Sequence, residues 1–365
     1  MKQGKKIIVA GGGTGGHIFP AIAIANALKR LDSSTEILFV GAKGKMEMEK
    51  VPQAGFQIEG LTIAGFNRSS LLKNISLPFK LMKSFSQVAG IFKRFKPDAV
   101  IGVGGYSSFP VLRYAQWKEV PSFIHEANSF GGKSNVLLSK KANVVFTATD
   151  GMERFFPAQK IVVTGNPVRQ EIVEINVSKE EGCKYFELNG DGITVLCVGG
   201  SLGARGINEA IDAGLDKLIE NGIQVIWQTG TPYRELAEKR IIGRKGVYAA
   251  AFIQNMEYAY AASDVVVSRS GAMTIAELCV VKKAAILVPF PFAAEDHQTA
   301  NAQNLVQKNA AIMIKDDEAK DKLINEIIEL AKNENKRTIL INNIKQLAIF
   351  DADVQIAKEI LKTLN

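Results

Sequence analysis

The fold is decided near the start of the chain, where residues 6–17 read KIIVAGGGTGGH. A short β-branched run ends there in a cluster of glycines, and the helical pattern FPAIAIANALKR follows at 19–30. An alternation of strand and helix patterns predicts βαβ units, which form a parallel sheet with helices on both faces. Similar strand patterns, each followed by small or polar residues, recur at EILFV (36–40), DAVIGV (98–103), PSFIHE (121–126) and NVVFTAT (143–149).

A second series of strand patterns begins after residue 190. The chain therefore predicts two similar α/β domains in tandem, at 1–165 and 166–345, which meet at the Gly-Asn-Pro segment 165–167 because proline ends regular structure there. The apolar residues after 345 recur at helical spacing and predict a terminal helix over 346–365. The second series reads ITVLCV (193–198), IQVIWQ (223–228), DVVVS (264–268) and AAILVPF (284–290), and the terminal helix carries Leu347, Phe350, Val354, Ala357 and Leu361.

The composition is that of a globular protein with an anionic partner. The 365 residues are 47% hydrophobic and 22% charged, which is enough apolar material for two buried cores. No apolar run approaches the roughly 18 residues of a membrane-spanning helix, and no cleavable signal is recognisable, so we expect a cytosolic protein. Three scattered cysteines argue against a disulfide framework and a zinc site. The net charge of +8 favours nucleic acid, anionic lipid or a phosphorylated substrate as partner.

Glycine-rich loops follow several of the predicted strands. Residues 11–16 match GxGxxG between a strand and a helix, a pattern that can hold a pyrophosphate at the helix N-terminus. NAD binding is disfavoured, because the dinucleotide-binding form needs an acidic residue at the end of the second strand, where this chain has Val-Gly-Ala-Lys at 40–43. Three more such loops lie at 102–108, 199–203 and 268–274. Two loops per domain predict two phosphorylated ligands that face each other across a cleft.

The titratable residues at strand ends are candidates for catalysis. His17, His125 and His297 are the only histidines, and each follows a predicted strand. Parallel α/β sheets bind ligands at that edge, so we expect at least one histidine to act as a general base near neutral pH. Glu277, near the start of a predicted helix, either binds vicinal ribose hydroxyls or only complements the helix dipole. The only DxD, at 351–353, lies in the terminal helix pattern, and HExxH and GxSxG are absent, so no metal site and no serine nucleophile are predicted.

A basic and apolar segment separates Glu59 from Asp98. It contains seven Lys or Arg residues and no acidic residue. Its apolar residues from Leu81 to Phe95 have the spacing of a core-facing helix, but those before Leu81 do not. Apolar side chains rimmed by Lys and Arg are typical of docking on an anionic bilayer, with a purely structural segment as the alternative. Nucleic acid is disfavoured because no binding motif or aromatic platform occurs. The residues predicted to dock are Leu72, Lys73, Ile75, Phe79 and Lys80.

Seven stretches together resemble the MurG family of bacterial glycosyltransferases, in the family's order through nearly the whole chain. The resemblance implies a GT-B fold, with two Rossmann-like domains, parallel sheets, an interdomain cleft and a terminal helix that packs back on the first domain. It implies transfer of N-acetylglucosamine from UDP-N-acetylglucosamine to lipid I, the undecaprenyl-pyrophosphoryl-muramyl-pentapeptide, at the cytoplasmic face of the inner membrane. The stretches are GGGTGGHIFPAIAIA (11–25), GGYSSFP (104–110), HEAN (125–128), GNPVR (165–169), GGSLGA (199–204), SRSGAMTIAE (268–277) and AAEDHQT (293–299).

The resemblance implies that the sugar donor binds mainly to the second domain. Arg169 and Ser201 would contact its diphosphate, and the backbone of Ile253 would contact uracil. Glu277 would bind the ribose and Gln298 the sugar hydroxyls. The phosphate loop and the helix that it opens would contribute Ala272, Met273, Thr274, Ile275 and Ala276.

The resemblance implies that the first domain binds the acceptor and completes the donor site. The family commonly has Gln at position 127, where this chain has Ala, and some members have Gln at 299, where it has Thr, so contacts to the donor sugar differ. The residues that would close over the sugar and the acceptor diphosphate are Thr14, Gly15, Gly16 and Asn128, with Gly104, Gly105 and Tyr106 in the second loop.

The implied reaction is a single displacement that inverts the donor's α linkage to β. His17 is the best candidate for the base that deprotonates the muramyl C4 hydroxyl, with Glu126 as rival or helper. Helix N-termini, loop amides and Arg169 would stabilise the leaving diphosphate, so we expect no metal and no cofactor. The alternatives are a transferase for another glycolipid, a UDP-sugar epimerase, and a nucleotide-sugar-binding scaffold at the membrane.

Overall fold

The protein consists of two compact units. A computed structural model describes residues 4–63, 77–200 and 202–364. Unit 1 comprises residues 1–168 together with 351–365, and unit 2 comprises 169–350. The sequence-based boundaries at 165 and 345 lie three and five residues before the divisions between these units. The two units are described separately below.

Unit 1 is built on a seven-stranded parallel sheet with the strand order β3-β2-β1-β4-β5-β6-β7. Neighbouring strands are in parallel register, with Ala10 opposite both Val40 and Gly102. The strands are β1 (Lys6–Ala10), β2 (Glu36–Ala42), β3 (Gln57–Leu61), β4 (Ala99–Gly102), β5 (Ser122–Glu126), β6 (Val144–Thr147) and β7 (Ile161–Val163).

Helices cover both faces of this sheet, as the alternating pattern predicts. Successive side chains of a strand point to opposite faces, so Ile7 and Val9 of β1 lie in one core while Ile8 and Ala10 lie in the other. The helices between these strands are α1 (Gly15–Leu31), α2 (Glu47–Gln53), α3 (Leu77–Phe95), α4 (Ser108–Trp117) and α5 (Lys133–Ser139).

Unit 2 repeats this architecture with a six-stranded parallel sheet of order β10-β9-β8-β11-β12-β13. Its main core packs the sheet against two neighbouring helices, α8 (Arg205–Glu220) and α13 (Ala319–Lys332). Its strands are β8 (Ile193–Val198), β9 (Ile223–Gln228), β10 (Val247–Ala250), β11 (Val265–Ser268), β12 (Ala284–Leu287) and β13 (Ile312–Met313). Its helices are α6 (Gln170–Val173), α7 (Lys179–Tyr185), α8 (Arg205–Glu220), α9 (Arg234–Ile241), α10 (Met256–Ala262), α11 (Ala272–Val281), α12 (His297–Gln307), α13 (Ala319–Lys332) and α14 (Glu334–Lys345).

The terminal helix α15 (Ala352–Thr363) is shorter than the sequence predicts. Helix α14 ends at Lys345, and Leu347 and Phe350 lie in the link between the two helices. The Phe350 ring packs beneath the Lys282 ammonium at 5.7 Å within unit 2. Ile356 and Ile360 of α15 are buried in the core of unit 1 that also contains α1.

The strand orders place a topological switch point in each sheet. The chain leaves β1 and β4 in opposite directions across unit 1, and it does the same from β8 and β11 in unit 2. Open α/β sheets bind ligands at the carboxyl ends of the strands at such points. The four glycine-rich loops of the sequence analysis follow these four strands. The predicted fold class, two Rossmann-like domains with parallel sheets, is confirmed.

Candidate active site

The first site surrounds the glycine loop between β1 and α1. Gly12 N–H donates a hydrogen bond to the Gly104 carbonyl in the loop after β4, at 3.3 Å. This approach requires glycine at position 105, because a Cβ there would lie 2.3 Å from the Gly12 oxygen. Gly105 also has a φ of +86°, which L side chains rarely adopt. The two glycine loops of unit 1 therefore form one continuous surface.

A buried carboxylate outside any recognisable motif supports this loop. The Glu47 side chain, at the start of α2, is 1% exposed. It accepts hydrogen bonds from the N–H groups of Gly13 at 2.8 Å and Ala42 at 2.9 Å. The Gly13 N–H is thus bonded to a carboxylate of the protein, so a pyrophosphate at the N-terminus of α1, as the sequence predicts, would be held by other amides of the loop. Nothing in the local pattern distinguishes Glu47 from the exposed Glu49.

His17 lies in the first turn of α1 with its ring held against both glycine loops. Its Nδ1 is 3.2 Å from the Gly12 carbonyl oxygen and 3.3 Å from Thr14 Oγ1. A carbonyl oxygen only accepts, so we assign the Nδ1 proton to the bond with Gly12, which leaves the lone pair of the neutral ring on Nε2. A Cβ on Gly104 would lie 2.7 Å from that Nε2. The glycine at 104 therefore makes room for the ring that is predicted to be the base.

Glu126, the predicted rival base, is buried at the end of β5 and holds a loop in place. Its Oε1 accepts from the Asn128 N–H at 3.1 Å and the Asn128 amide at 3.3 Å. Its Oε2 accepts from the Gly132 N–H at 3.0 Å and from Asn135 Nδ2 at 2.9 Å. Burial raises the pKa of this carboxyl, and these four donors oppose the rise. The arrangement fits a carboxylate that shapes the loop after β5 better than one that collects a substrate proton.

His125, next to Glu126, is also buried and does not have the environment of a general base. Desolvation lowers its pKa to about 4, so the ring is neutral at physiological pH. Its Nε2 is 3.4 Å from the Gly165 carbonyl oxygen. His17 is therefore the histidine of unit 1 that combines partial exposure with a position at the switch point.

The other residues predicted for unit 1 lie at the same edge of the sheet. Thr14 precedes α1, and Gly15 and Gly16 are its first two residues. Tyr106 is exposed in the loop after β4, and Asn128 is half-buried in the loop after β5. The structure thus brings these residues and His17 to the carboxyl ends of β1, β4 and β5, while their individual roles remain predictions.

The second site lies in unit 2, where Glu277 is held between two partners. Glu277 is on the second turn of α11, and its Oε1 accepts from Arg169 Nη2 at 3.3 Å. Its Oε2 accepts from the hydroxyl of Tyr260 at 2.9 Å. Burial raises the pKa of the Glu277 carboxyl, and Arg169 and Tyr260 oppose the rise. Two residues predicted to contact the donor, Glu277 and Arg169, are therefore neighbours, and Tyr260 joins them from a helix with no recognisable motif.

Gln298 is oriented by the loop that follows β12. Its Oε1 accepts from the Phe290 N–H at 2.9 Å, and its carbonyl accepts from Ser270 Oγ at 2.8 Å. Arg269 secures the same loop, because its Nη1 donates to the carbonyls of Val288 and Pro289, both at 3.1 Å. Because the Gln298 Oε1 already accepts this bond, the predicted contact with sugar hydroxyls falls to its NH₂ group as a donor.

All but one of the other residues of unit 2 that are predicted to bind the sugar donor lie within the described residues. The segment Ala272 to Ala276 forms the first turns of α11, after the Gly271 position that begins the helix. The Ile253 N–H donates to Gln228 Oε1 at 2.9 Å, so a uracil contact through that amide requires Gln228 to move. Ser201, predicted to contact the diphosphate, lies outside the described residues.

Comparison with known proteins identifies the family. Models of glycosyltransferase family 28 match most of the chain, the N-terminal domain at residues 7–147 and the C-terminal domain at 194–359. A UDP-N-acetylglucosamine--N-acetylmuramyl-(pentapeptide) pyrophosphoryl-undecaprenol N-acetylglucosamine transferase of Phocaeicola vulgatus is 49% identical, over 99% of this chain and 97% of its own length. The protein of the same name from Christiangramia forsetii is 47% identical, over 100% of this chain and 99% of its own length. The crystal structure of Acinetobacter baumannii MurG matches with a TM-score of 0.81 and 28% identity, over 98% of this chain and 99% of that one. The chain belongs to the MurG family of glycosyltransferases.

Proposed function

We propose that the protein transfers N-acetylglucosamine from UDP-N-acetylglucosamine to the C4 hydroxyl of the muramyl sugar of lipid I, which gives lipid II for peptidoglycan synthesis. The observation that carries the proposal is the identity of 49% with a relative named for this donor and acceptor, over 99% of the chain. The geometry supports the proposal because each unit has polar residues at its own switch point. Unit 2 has Glu277 with its partners Arg169 and Tyr260, which together are called the Glu277 cluster, and unit 1 has His17 beside two glycine loops.

In this proposal unit 2 binds the donor. The Glu277 carboxylate accepts hydrogen bonds from the ribose hydroxyls, and the Gln298 amide donates to hydroxyls of the sugar. Arg169 and the amides at the start of α11 stabilise the diphosphate, whose negative charge grows as UDP leaves. Arg169 lies against Glu277, so the cation for the diphosphate is already close to the group that binds the ribose.

Unit 1 supplies the acceptor site and the base. The His17 Nε2 lone pair accepts the proton of the C4 hydroxyl as that oxygen attacks the anomeric carbon of the donor. The bond between the anomeric carbon and the diphosphate oxygen breaks, and its electron pair leaves with UDP. Attack from the face opposite the leaving group converts the α linkage of the donor to a β linkage in the product.

An assay with labelled UDP-N-acetylglucosamine and short-chain lipid I tests the proposal. We expect label to enter the lipid fraction only when lipid I is present. Transfer to diacylglycerol but not to lipid I would assign another glycolipid acceptor. Conversion of the sugar nucleotide to an epimer without any acceptor would identify an epimerase, and binding without turnover would indicate a scaffold; each of these outcomes rejects the proposed function.

We also propose that unit 1 docks on the cytoplasmic face of the bacterial inner membrane through anionic lipid, without binding nucleic acid. No helix among the described residues is long and apolar enough to cross a membrane. Of the residues predicted to dock, Leu72, Lys73 and Ile75 lie outside the described residues, whereas Phe79 and Lys80 lie in the first turn of α3.

Exposed apolar side chains near the start of α3 support the docking proposal. Phe79 is 72% exposed, and Met82 on the same helix is 71% exposed. Lys83 is exposed beside Met82. Large apolar groups next to lysines are suited to the boundary between lipid head groups and acyl chains.

A further inference from the structure

Tyr260 is a buried residue whose hydroxyl points at the Glu277 cluster. It lies in α10 and is 2% exposed. Its hydroxyl donates to Glu277 Oε2 at 2.9 Å. Burying a phenol hydroxyl without a partner is unfavourable, and a phenylalanine ring would fill the same space. The hydroxyl therefore contributes chiefly through its bond with Glu277.

The bond fixes the second oxygen of a carboxylate whose first oxygen is bonded to Arg169. A glutamate side chain has three rotatable bonds, and it binds two neighbouring hydroxyls well only when the plane of its carboxylate is set in advance. Arg169 approaches Oε1 at 3.3 Å, a longer distance than the Tyr260 bond to Oε2. Tyr260 is thus the closer of these two partners.

The protonation states agree with this geometry. Burial and the charge of Glu277 raise the pKa of Tyr260 well above its usual value. The phenol consequently keeps its proton and acts as the donor, while the carboxylate acts as the acceptor. Each carboxylate oxygen has a second lone pair, so the bond with Tyr260 leaves Glu277 able to accept further hydrogen bonds.

We propose that Tyr260 is a positioning residue of the donor site, which orients the Glu277 carboxylate to accept hydrogen bonds from the vicinal hydroxyls of a ribose. This inference rests on the proposed function, in which Glu277 binds the ribose of UDP. It adds that selectivity for a ribonucleotide depends on a phenol that does not itself touch the nucleotide.

The test compares Tyr260→Phe with the wild type in calorimetric titrations with UDP and with 2′,3′-dideoxy-UDP. We expect Tyr260→Phe to weaken UDP binding about 10-fold, as for the loss of one hydrogen bond to a charged group, and to leave dideoxy-UDP binding unchanged. Tyr258→Phe is the matched control. It changes the same residue type on the same helix, where the Tyr258 ring packs against Tyr185 with centroids 4.6 Å apart, and we expect it to change neither affinity.

Glu277→Asp provides a second, independent variant. It keeps the charge but shortens the side chain, so the carboxylate can no longer meet both the Tyr260 hydroxyl and the ribose. We expect the same selective loss of UDP binding, and we expect Tyr260→Phe to add little to it in the double variant. Should Tyr260→Phe fail to fold, Tyr260→Leu takes its place, because it also removes the hydroxyl and keeps an apolar side chain; the same selective loss of UDP binding is then expected, and equal affinities of this variant and the wild type for UDP would overturn the inference.

The outcomes separate this inference from the proposed function. If the wild type prefers UDP to dideoxy-UDP but Tyr260→Phe weakens both equally or neither, Tyr260 is only a packing residue and the inference is overturned. If the wild type binds both nucleotides equally, the ribose contact of Glu277 fails, and the role of Tyr260 fails with it. If the wild type does not bind UDP at all, the proposed function itself is wrong.

Discussion

At the scale of single residues, the proposed mechanism depends most on His17, which is predicted to be the general base. Its Nδ1 is bonded to the Gly12 carbonyl, so in the proposed mechanism Nε2 is the nitrogen that takes the proton. General-base catalysis contributes about 10²–10⁴-fold, and we expect His17→Ala to lower kcat by that factor while UDP affinity stays constant. His17→Gln is the informative companion, because its amide can still donate to Gly12 but cannot act as an imidazole base. Steady-state kinetics in which His17→Gln turns over like the wild type would show that the ring only shapes the loop.

For Glu126 we expect the opposite: its replacement should mainly lower the stability of the protein. Its four hydrogen bonds come from Asn128, Gly132 and Asn135, and a buried donor left without an acceptor costs about 1–3 kcal/mol. We expect Glu126→Ala to lower the free energy of unfolding in urea by about 3 kcal/mol, whereas Glu153→Ala, at an exposed position, changes it by less than about 0.5 kcal/mol. A fully stable but inactive Glu126→Ala would transfer the role of base from His17 to Glu126.

Site residues next to a recognisable sequence pattern could be predicted from the sequence. Those whose partners are distant in the sequence could not. His17 ends a glycine loop, and Glu277 follows a strand and a small-residue turn, so both stand out in the sequence. Glu47 and Tyr260 have no such context, because Glu47 bonds to a glycine 34 positions away and Tyr260 to a carboxylate 17 positions away. Only the folded sheet brings these partners together.

At the scale of secondary structure, α3 is expected to combine a buried face with a docking face. Val88 and Phe92 are buried and Phe79 and Met82 are exposed, so Phe79→Ser with Met82→Ser should preserve the fold. We expect this double variant to bind phosphatidylglycerol vesicles more weakly in a sedimentation assay and to keep its activity on a water-soluble acceptor. Ile242→Ser, which removes an exposed apolar residue of unit 2, is the control. Equal vesicle binding by all three proteins would refute docking through α3.

The terminal helix shows where helical periodicity misleads. Spacing predicted that Leu347 and Phe350 belong to the same helix as Ala357, but α15 begins at Ala352. Phe350 packs against Lys282 in unit 2, whereas Ile356 and Ile360 pack in the core of unit 1. Periodicity shows which residues are apolar but not which partner each one contacts. The prediction therefore joined the last residues of unit 2 and the helix α15 of unit 1 into a single helix.

At the scale of the whole molecule, the alternation of strands and helices was sufficient to predict two parallel α/β units. It was not sufficient for the strand orders, which depend on how each crossover packs against the sheet. The order in each unit has one reversal, and the glycine loops flank it in both. In the proposed mechanism the donor binds to unit 2, the base belongs to unit 1, and the sugar is transferred in one direct displacement.

The configuration of the new glycosidic bond distinguishes a single displacement from a reaction that retains the donor's configuration. The wild-type product formed from UDP-N-acetylglucosamine and short-chain lipid I can be isolated, and the anomeric linkage of the transferred sugar can be determined by NMR. We expect a β linkage from muramyl C4 to N-acetylglucosamine, because a hydroxyl deprotonated by His17 attacks opposite the departing UDP. An α linkage would contradict this mechanism, since a single displacement from the opposite face cannot retain the configuration of the donor.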